Sequence, residues 1–199
     1  MRGEQKTSPP AMKKPLALVS GFFIRTRIFK FIRFYVTFEI ENSIMNVQIA
    51  EYKPEDIESI KNLLVELQDV LKGLEPETIA AGDKVRDSYT EDLINRVKTK
   101  DGQVFLAKDS GRVVGLVAVY INHEKDEDIN YLFVADLVVS ESERGKGIGK
   151  QLLKAAEQYA KDKNLKYIRI AALASNTRAA KLYKEMGFKD YAVTFHKKL

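Results

Sequence analysis

Asp136-Leu-Val-Val-Ser-Glu-Ser-Glu-Arg144-Gly-Lys-Gly-Ile-Gly-Lys-Gln-Leu-Leu153 has the pattern of a buried strand, a glycine-rich turn and the start of a helix. Gly145, Gly147 and Gly149 alternate with Lys146, Ile148 and Lys150. Glycine lets the backbone bend sharply and lets a ligand reach the amides without a Cβ in the way. The first amides of a helix have no partner inside it, and the helix dipole adds positive potential there. With Arg144, Lys146 and Lys150 alongside, the turn suits a pyrophosphate.

Three phosphate loops compete for this pattern, beside the plainer reading of a strand-to-helix turn that needs glycine for shape. A Walker loop requires a hydroxyl residue after its lysine, and Gln151 follows Lys150. A dinucleotide fingerprint requires Gly-x-Gly-x-x-Gly in an early βαβ unit. This turn is Gly-x-Gly-x-Gly and comes late in the chain. Arg144-x-x-Gly147-x-Gly149 does meet Arg/Gln-x-x-Gly-x-Gly/Ala. That motif resembles the coenzyme A pyrophosphate loop of the GNAT superfamily of N-acetyltransferases.

The rest of the chain supports this reading. Asn46–Tyr52 alternates apolar and polar residues and predicts a strand. A helix follows from Pro54, with Ile57, Ile60, Leu63, Leu64, Leu67 and Leu71 at helical spacing and a stop at Gly73. Residues 74–89 read as a polar loop, and Thr90 as the cap of a second helix reaching Lys98. Gln103–Lys108 and Arg112–Asn122 read as a hairpin around Asp109-Ser110-Gly111. After the acidic loop His123–Asp128, Tyr131–Val139 is a long strand whose one ionisable side chain of acid or base type is Asp136. The helix Lys150–Lys163, a strand Leu165–Leu173, the helix Asn176–Met186 and a last strand Tyr191–His196 complete the order. The expected fold class is α/β (mixed α+β), with a mostly antiparallel central sheet of six to seven strands flanked by about four helices.

A second motif points the same way. Asn176-Thr-Arg-Ala-Ala-Lys-Leu-Tyr183-Lys-Glu-Met-Gly187-Phe188 is similar to the GNAT segment Asn-x-x-(Ala)-x-x-x-Tyr-x-x-x-Gly-Phe. Asn176 and Tyr183 stand two helical turns apart and share a face. The plainer reading makes Asn176 a simple N-cap and Tyr183 a core aromatic. The resemblance covers nearly all of residues 45–199.

What the resemblance implies is direct acetyl transfer from acetyl-CoA, as co-substrate, to an amine. Arg144, Gly145, Lys146, Gly147, Ile148, Gly149 and Lys150 would hold the pyrophosphate. The pantetheine arm would lie along Leu137, Val138 and Val139, with the N–H of Val138 or Val139 stabilising the oxyanion. Asn176 would face the cofactor, and Tyr183 would protonate the leaving thiolate. Family members often carry a glutamate base on this strand. Ala135 stands at the expected position, and Asp136 follows it. Asp136 is then either the base, its pKa raised by burial, or a structural carboxylate bonded to nearby backbone. Glu124, His123, Tyr131 and a bound water are further candidates for the base.

Composition narrows the surroundings. The chain of 199 residues suits one domain and contains no cysteine, which excludes a thiol acyl-enzyme and fits a reducing, cytoplasmic setting. Two histidines, His123 and His196, give no basis for a metal site. The net charge of +5 comes entirely from residues 1–44, so the domain body is neutral and no nucleic-acid partner is expected. Residues 1–44 are expected to be an extension outside the domain. Residues 1–15 read as disordered, and residues 16–40 as a basic amphipathic stretch for an anionic membrane surface. Against that, Met45 opens a stretch that reads as a natural start, which would put residues 1–44 upstream of the native chain. The expected partners are a small-molecule or peptide amine, held by residues 73–100 and the 123–130 loop, and a second copy of the chain as a homodimer. A non-catalytic acyl-CoA-binding module is the alternative function.

Overall fold

The computed structural model describes residues 47–198. The extension 1–44, its membrane reading and the boundary at residue 45 lie outside the described residues. The chain order is β1 (Val47–Glu51), a 3-10 turn (Pro54–Asp56), α1 (Ile57–Leu74), α2 (Gly82–Thr99), β2 (Gln103–Asp109) and β3 (Arg112–Glu124). Then come β4 (Ile129–Val139), a second 3-10 turn (Glu141–Glu143), α3 (Ile148–Asp162), β5 (Ile168–Ile170) and α4 (Thr177–Glu185).

The five strands lie side by side in chain order. β1 to β4 are antiparallel, and β5 joins β4 in parallel. Ser110 and Gly111 both have positive φ, 50° and 84°, as a tight hairpin with the right-handed twist of its strands requires. Each face of the sheet carries its own apolar layer. Val104, Leu106, Leu116, Ala118 and Val138 pack under Ile60, Leu64 and Leu93 of α1 and α2. Val117, Val119, Leu132 and Val134 pack under Ile148, Leu152 and Ala156 of α3. The alternation along β2 and β3 produces both layers from the same strands.

Three expectations are corrected. Residues 82–89 are helical, so Thr90 lies inside α2, 1% exposed, with its hydroxyl donating to Arg86 O at 2.7 Å. The signal for the true start is not a capping side chain at the start of the helix but Asp69 of α1, whose Oδ1 accepts the Gly82 N–H at 2.9 Å. The strand expected over Leu165–Leu173 is regular only at Ile168–Ile170. Finally, the sheet has five strands among the described residues rather than six or seven, because residues 191–196 form no strand. Tyr191, Val193 and Phe195 alternate as a strand should but are 64%, 72% and 89% exposed. Tyr191 is held instead by side-chain contacts, its ring against Arg169 and its hydroxyl donating to Glu127. No helix among the described residues is long and apolar enough to cross a membrane.

Gly82 seats α2 against α1: a Cβ there would lie 2.5 Å from Val65 O and 2.8 Å from its Cα. Gly82→Ala should therefore lower the unfolding free energy by about 1–3 kcal/mol, the usual cost of overpacking, measured by urea denaturation. An unchanged midpoint would show that the α1–α2 contact yields at no cost.

Candidate active site

The site begins with a fault in β4. Asp136 pairs with Ala118, and Val134 with Val119, so Ala135 is an extra residue without an opposite. Such a bulge reverses the side to which the following residues point. Before it, Leu132 N–H donates toward β5, to Tyr167 O, at 3.0 Å. After it, Ser140 N–H donates toward β3, to Val114 O, at 2.9 Å. Alternation then turns the amides of Leu137 and Val139 away from β3. β5 pairs with β4 only over Leu132–Val134, so these amides face a gap with no described strand in it. Of the two expected oxyanion donors, Val139 faces that gap, and Val138 faces β3.

The glycine turn closes one end of the gap. Gly145 and Gly147 have φ of +85° and +80°, and Gly147 is the N-cap of α3. A Cβ at either would meet nothing within 4 Å, so the space before the turn is open. Lys150 and Gln151 return their N–H groups to Gly147 O at 3.1 and 3.2 Å. The amides from Gly145 to Gly149 donate to no carbonyl among the described residues, which is the arrangement an anion needs. Gly149 serves differently: a Cβ there would sit 3.3 Å from Leu182 Cδ2, so its absence lets α4 approach.

The expected cations already have partners. Lys146 pairs with Glu143 at 2.7 Å and Lys150 with Glu185 at 2.8 Å. The Lys150–Glu185 pair is half-exposed and contributes little, so a phosphate can take Lys150 away, whereas Glu143 is buried and is also held by Arg112 at 3.0 Å. Arg144 is tied more firmly. Its Nε donates to Val139 O at 2.9 Å and its Nη2 to Glu66 Oε1 at 2.8 Å. Glu66 Oε1 also accepts the Glu141 N–H at 2.6 Å, so one carboxylate of α1 fastens the entry to the turn.

Asp136 lies on the face beneath α2 and is 6% exposed. The bulge points it and Ala135 to the same side. Tyr89 of α2 donates its hydroxyl to Asp136 Oδ1 at 2.8 Å, and Oδ2 is buried with no hydrogen-bond partner among the described residues. The carboxylate is therefore not bonded into the neighbouring backbone. Burial raises its pKa to about 6, against the opposing pull of the Tyr89 hydrogen bond and the Arg96 charge. Tyr183 of α4 is pushed up to about 12, by burial first and then by the charge of Asp136. Its ring rests 6.0 Å from that of Phe188. Asn176 caps α4, its Oδ1 accepting the Ala179 N–H at 3.1 Å. The structure thus brings Asp136 and Tyr183 within electrostatic reach and joins the glycine turn to α4. Tyr89, Arg96 and Glu66 escaped the sequence reading. Tyr89 sits in a stretch read as loop, and a pairing 47 residues distant leaves no local signal.

Comparison with known proteins shows the family. Residues 67–188 match the model of the Acetyltransferase (GNAT) family. The chain belongs to that family. It is 28% identical over 149 residues to the thialysine N-epsilon-acetyltransferase of Bos taurus, covering 72% of this chain and 85% of the relative. It is 33% identical over 81 residues to the uncharacterized N-acetyltransferase YycN of Bacillus subtilis (strain 168). That match covers 41% of this chain and spans about half of the relative, 52%. A putative acetyl transferase from Pyrococcus furiosus superposes with a TM-score of 0.64 at 25% identity, over 77% of this chain and 100% of that one. AAC(6')-Iy, in complex with the bisubstrate analog CoA-S-monomethyl-acetylneamine, shares the fold with a TM-score of 0.58 at 21% identity, over 78% and 99% of the two chains.

The buried Asp136 makes a pH prediction. Its folded pKa lies above the ordinary carboxylate value, so the folded state holds the proton more tightly than the unfolded chain does. Stability is then lost as pH rises through the window from 3.8 to about 6, by up to about 3 kcal/mol. Asp136→Asn should remove this slope. A difference in urea stability between the two proteins that stays constant across the window would refute the buried-acid description.

Proposed function

We propose that the domain transfers an acetyl group from acetyl-CoA to a primary amine by direct attack on the thioester. The observation that carries this reading is a pair of titratable groups of opposite habit beside the open edge of β4. Asp136, near 6, is ionised at neutral pH and can accept a proton, while Tyr183, near 12, keeps one and can donate it.

Acetyl-CoA supplies the activated acetyl group. The free amides of Gly145–Gly149 suit its pyrophosphate, with Lys150 released from its acidic partner and Lys146 and Arg144 alongside. The Leu137–Val139 edge suits the pantetheine arm, and Asn176 holds the N-terminus of α4 beside it. Asp136 removes a proton from the acceptor amine. The Val139 N–H faces the gap and donates to the thioester oxygen as charge develops there. Tyr183 protonates the departing thiolate. The bovine relative is named for thialysine, and the aminoglycoside-type analog belongs to a protein of the same fold, so primary amines of both kinds are the acceptors to try first.

A panel of thialysine, lysine, a polyamine, neamine and a peptide amino terminus, read by release of free thiol from acetyl-CoA, tests the activity. Turnover with one of them is expected. Tight acetyl-CoA binding without turnover on any would instead favour a non-catalytic acyl-CoA-binding module. Tyr183→Phe should lower kcat by about a hundredfold or more while leaving acetyl-CoA affinity unchanged, and unaltered turnover would remove Tyr183 from the reaction. Gly147→Val should abolish the rise in melting temperature on adding acetyl-CoA. A rise that persists would place the pyrophosphate elsewhere.

A further inference from the structure

Asp136 is gripped at one oxygen and bare at the other. The Tyr89 hydroxyl holds Oδ1 at 2.8 Å, while Oδ2 is buried and has no partner among the described residues. A buried carboxylate oxygen without a hydrogen bond is costly. The hydroxyl that relieves this cost at Oδ1 comes from another element, α2, across the apolar layer of the sheet face.

We propose that Tyr89 is the positioning residue of the base: its hydroxyl fixes the Asp136 carboxylate through Oδ1, holding it ionised and oriented to take the acceptor's proton. This rests on the reading of Asp136 as the base. The residues around Asp136 fit the assignment. From α2, Tyr89 and Arg96 face it; from α4, Tyr183 does. Arg96 lies 5.9 Å over the ring of Tyr120 on β3 and pairs with Asp92 at 2.8 Å. α1 contributes Ile60, Leu63, Leu64 and Leu67 to the apolar layer on this face. Two influences therefore favour the anion, the Tyr89 hydrogen bond and the Arg96 charge, and burial opposes both. Tyr89 stays a donor, because burial first and the Asp136 charge second push its own pKa well above the ordinary phenol value.

The step balances. The amine N–H bond breaks and its proton passes through a relaying water to the buried Asp136 carboxylate. The nitrogen lone pair forms the C–N bond to the acetyl carbonyl carbon, the C–S bond breaks, and the thiolate takes the Tyr183 proton. Asp136 then gives its proton to solvent, and Tyr183 recovers one from solvent. Tyr89 exchanges no proton. Its hydrogen bond keeps Asp136 ionised and oriented.

The test uses the full chain labelled with carboxyl-13C aspartate, the Asp136 resonance being assigned by its loss in Asp136→Asn. In Tyr89→Phe the Asp136 titration midpoint should rise by about one pH unit or more, the worth of a hydrogen bond to a charged group. The acidic limb of kcat/KM for thialysine should move with it, and KM for acetyl-CoA should not change. A midpoint that stays in place overturns the role of Tyr89 even where turnover is intact, since the resonance needs no acceptor. Undiminished turnover in Asp136→Asn overturns the base reading itself and with it the proposal, a separable result. If Tyr89→Phe does not fold, replacing tyrosine by 3-fluorotyrosine strengthens the donated hydrogen bond and should lower the midpoint. A midpoint indifferent to fluorination overturns the proposal.

Discussion

The site depends on one extra residue in β4. Were β4 to run through Ala135 in unbroken alternation, the Leu137 and Val139 amides would point at β3, and Asp136 would point toward α3. The bulge reverses both. It frees a run of backbone on the side where β5 has already ended, and it turns a carboxylate under α2, where Tyr89 meets it. Bulges at such positions re-aim side chains and end pairing, and here both effects serve one cleft. On the proposed reading the acidic role falls to Asp136, which points to the same face as Ala135.

Around that fault the electrostatics divide two protons. Burial acts on both Asp136 and Tyr183, in each case disfavouring the charged form. The outcomes differ because the starting values differ and because each group has its own neighbours. Tyr89 and Arg96 favour the charged form of Asp136 against burial, whereas the negative charge of Asp136 moves Tyr183 further from ionisation. On the proposed reading, a base that works when charged stands near an acid that works when neutral, and the charge of the first keeps the second protonated.

What the sequence disclosed follows the range of the interactions involved. The glycine turn, the Asn176–Met186 helix and the Asp109-Ser110-Gly111 hairpin are local matters of φ, capping and periodicity, and the structure has them where the pattern put them. The start of α2 was hidden because its cap is Asp69, on another helix. Tyr191–His196 misled because alternation describes a strand's two faces and says nothing about whether an edge exists for it to join. β5 has only three residues, too short an edge to recruit one. Asp136 was legible as a lone carboxyl in an apolar strand, but its partner was not, since nothing near residue 89 announces a contact with residue 136.

The three glycines of the turn show how one motif hides different physics. At Gly145 and Gly147 the requirement is conformational: positive φ turns the chain so that successive amides face open space. At Gly149 it is steric, since a Cβ would press on Leu182 of α4 at 3.3 Å. The first two make room for a ligand, and the third brings up the helix that carries Tyr183. A sequence pattern records all three as glycine. The turn is therefore also a joint: through Gly149 it sets α4, and Tyr183 on it, relative to the open amides of the turn. Arg144 completes the joint from the other side, binding Val139 O and Glu66 at once and so fastening the edge of β4 to the turn and to α1. The loop that suits the donor's phosphates and the groups that would act on its thioester are consequently held in one frame, to which α1 and α2 bring Glu66 and Tyr89.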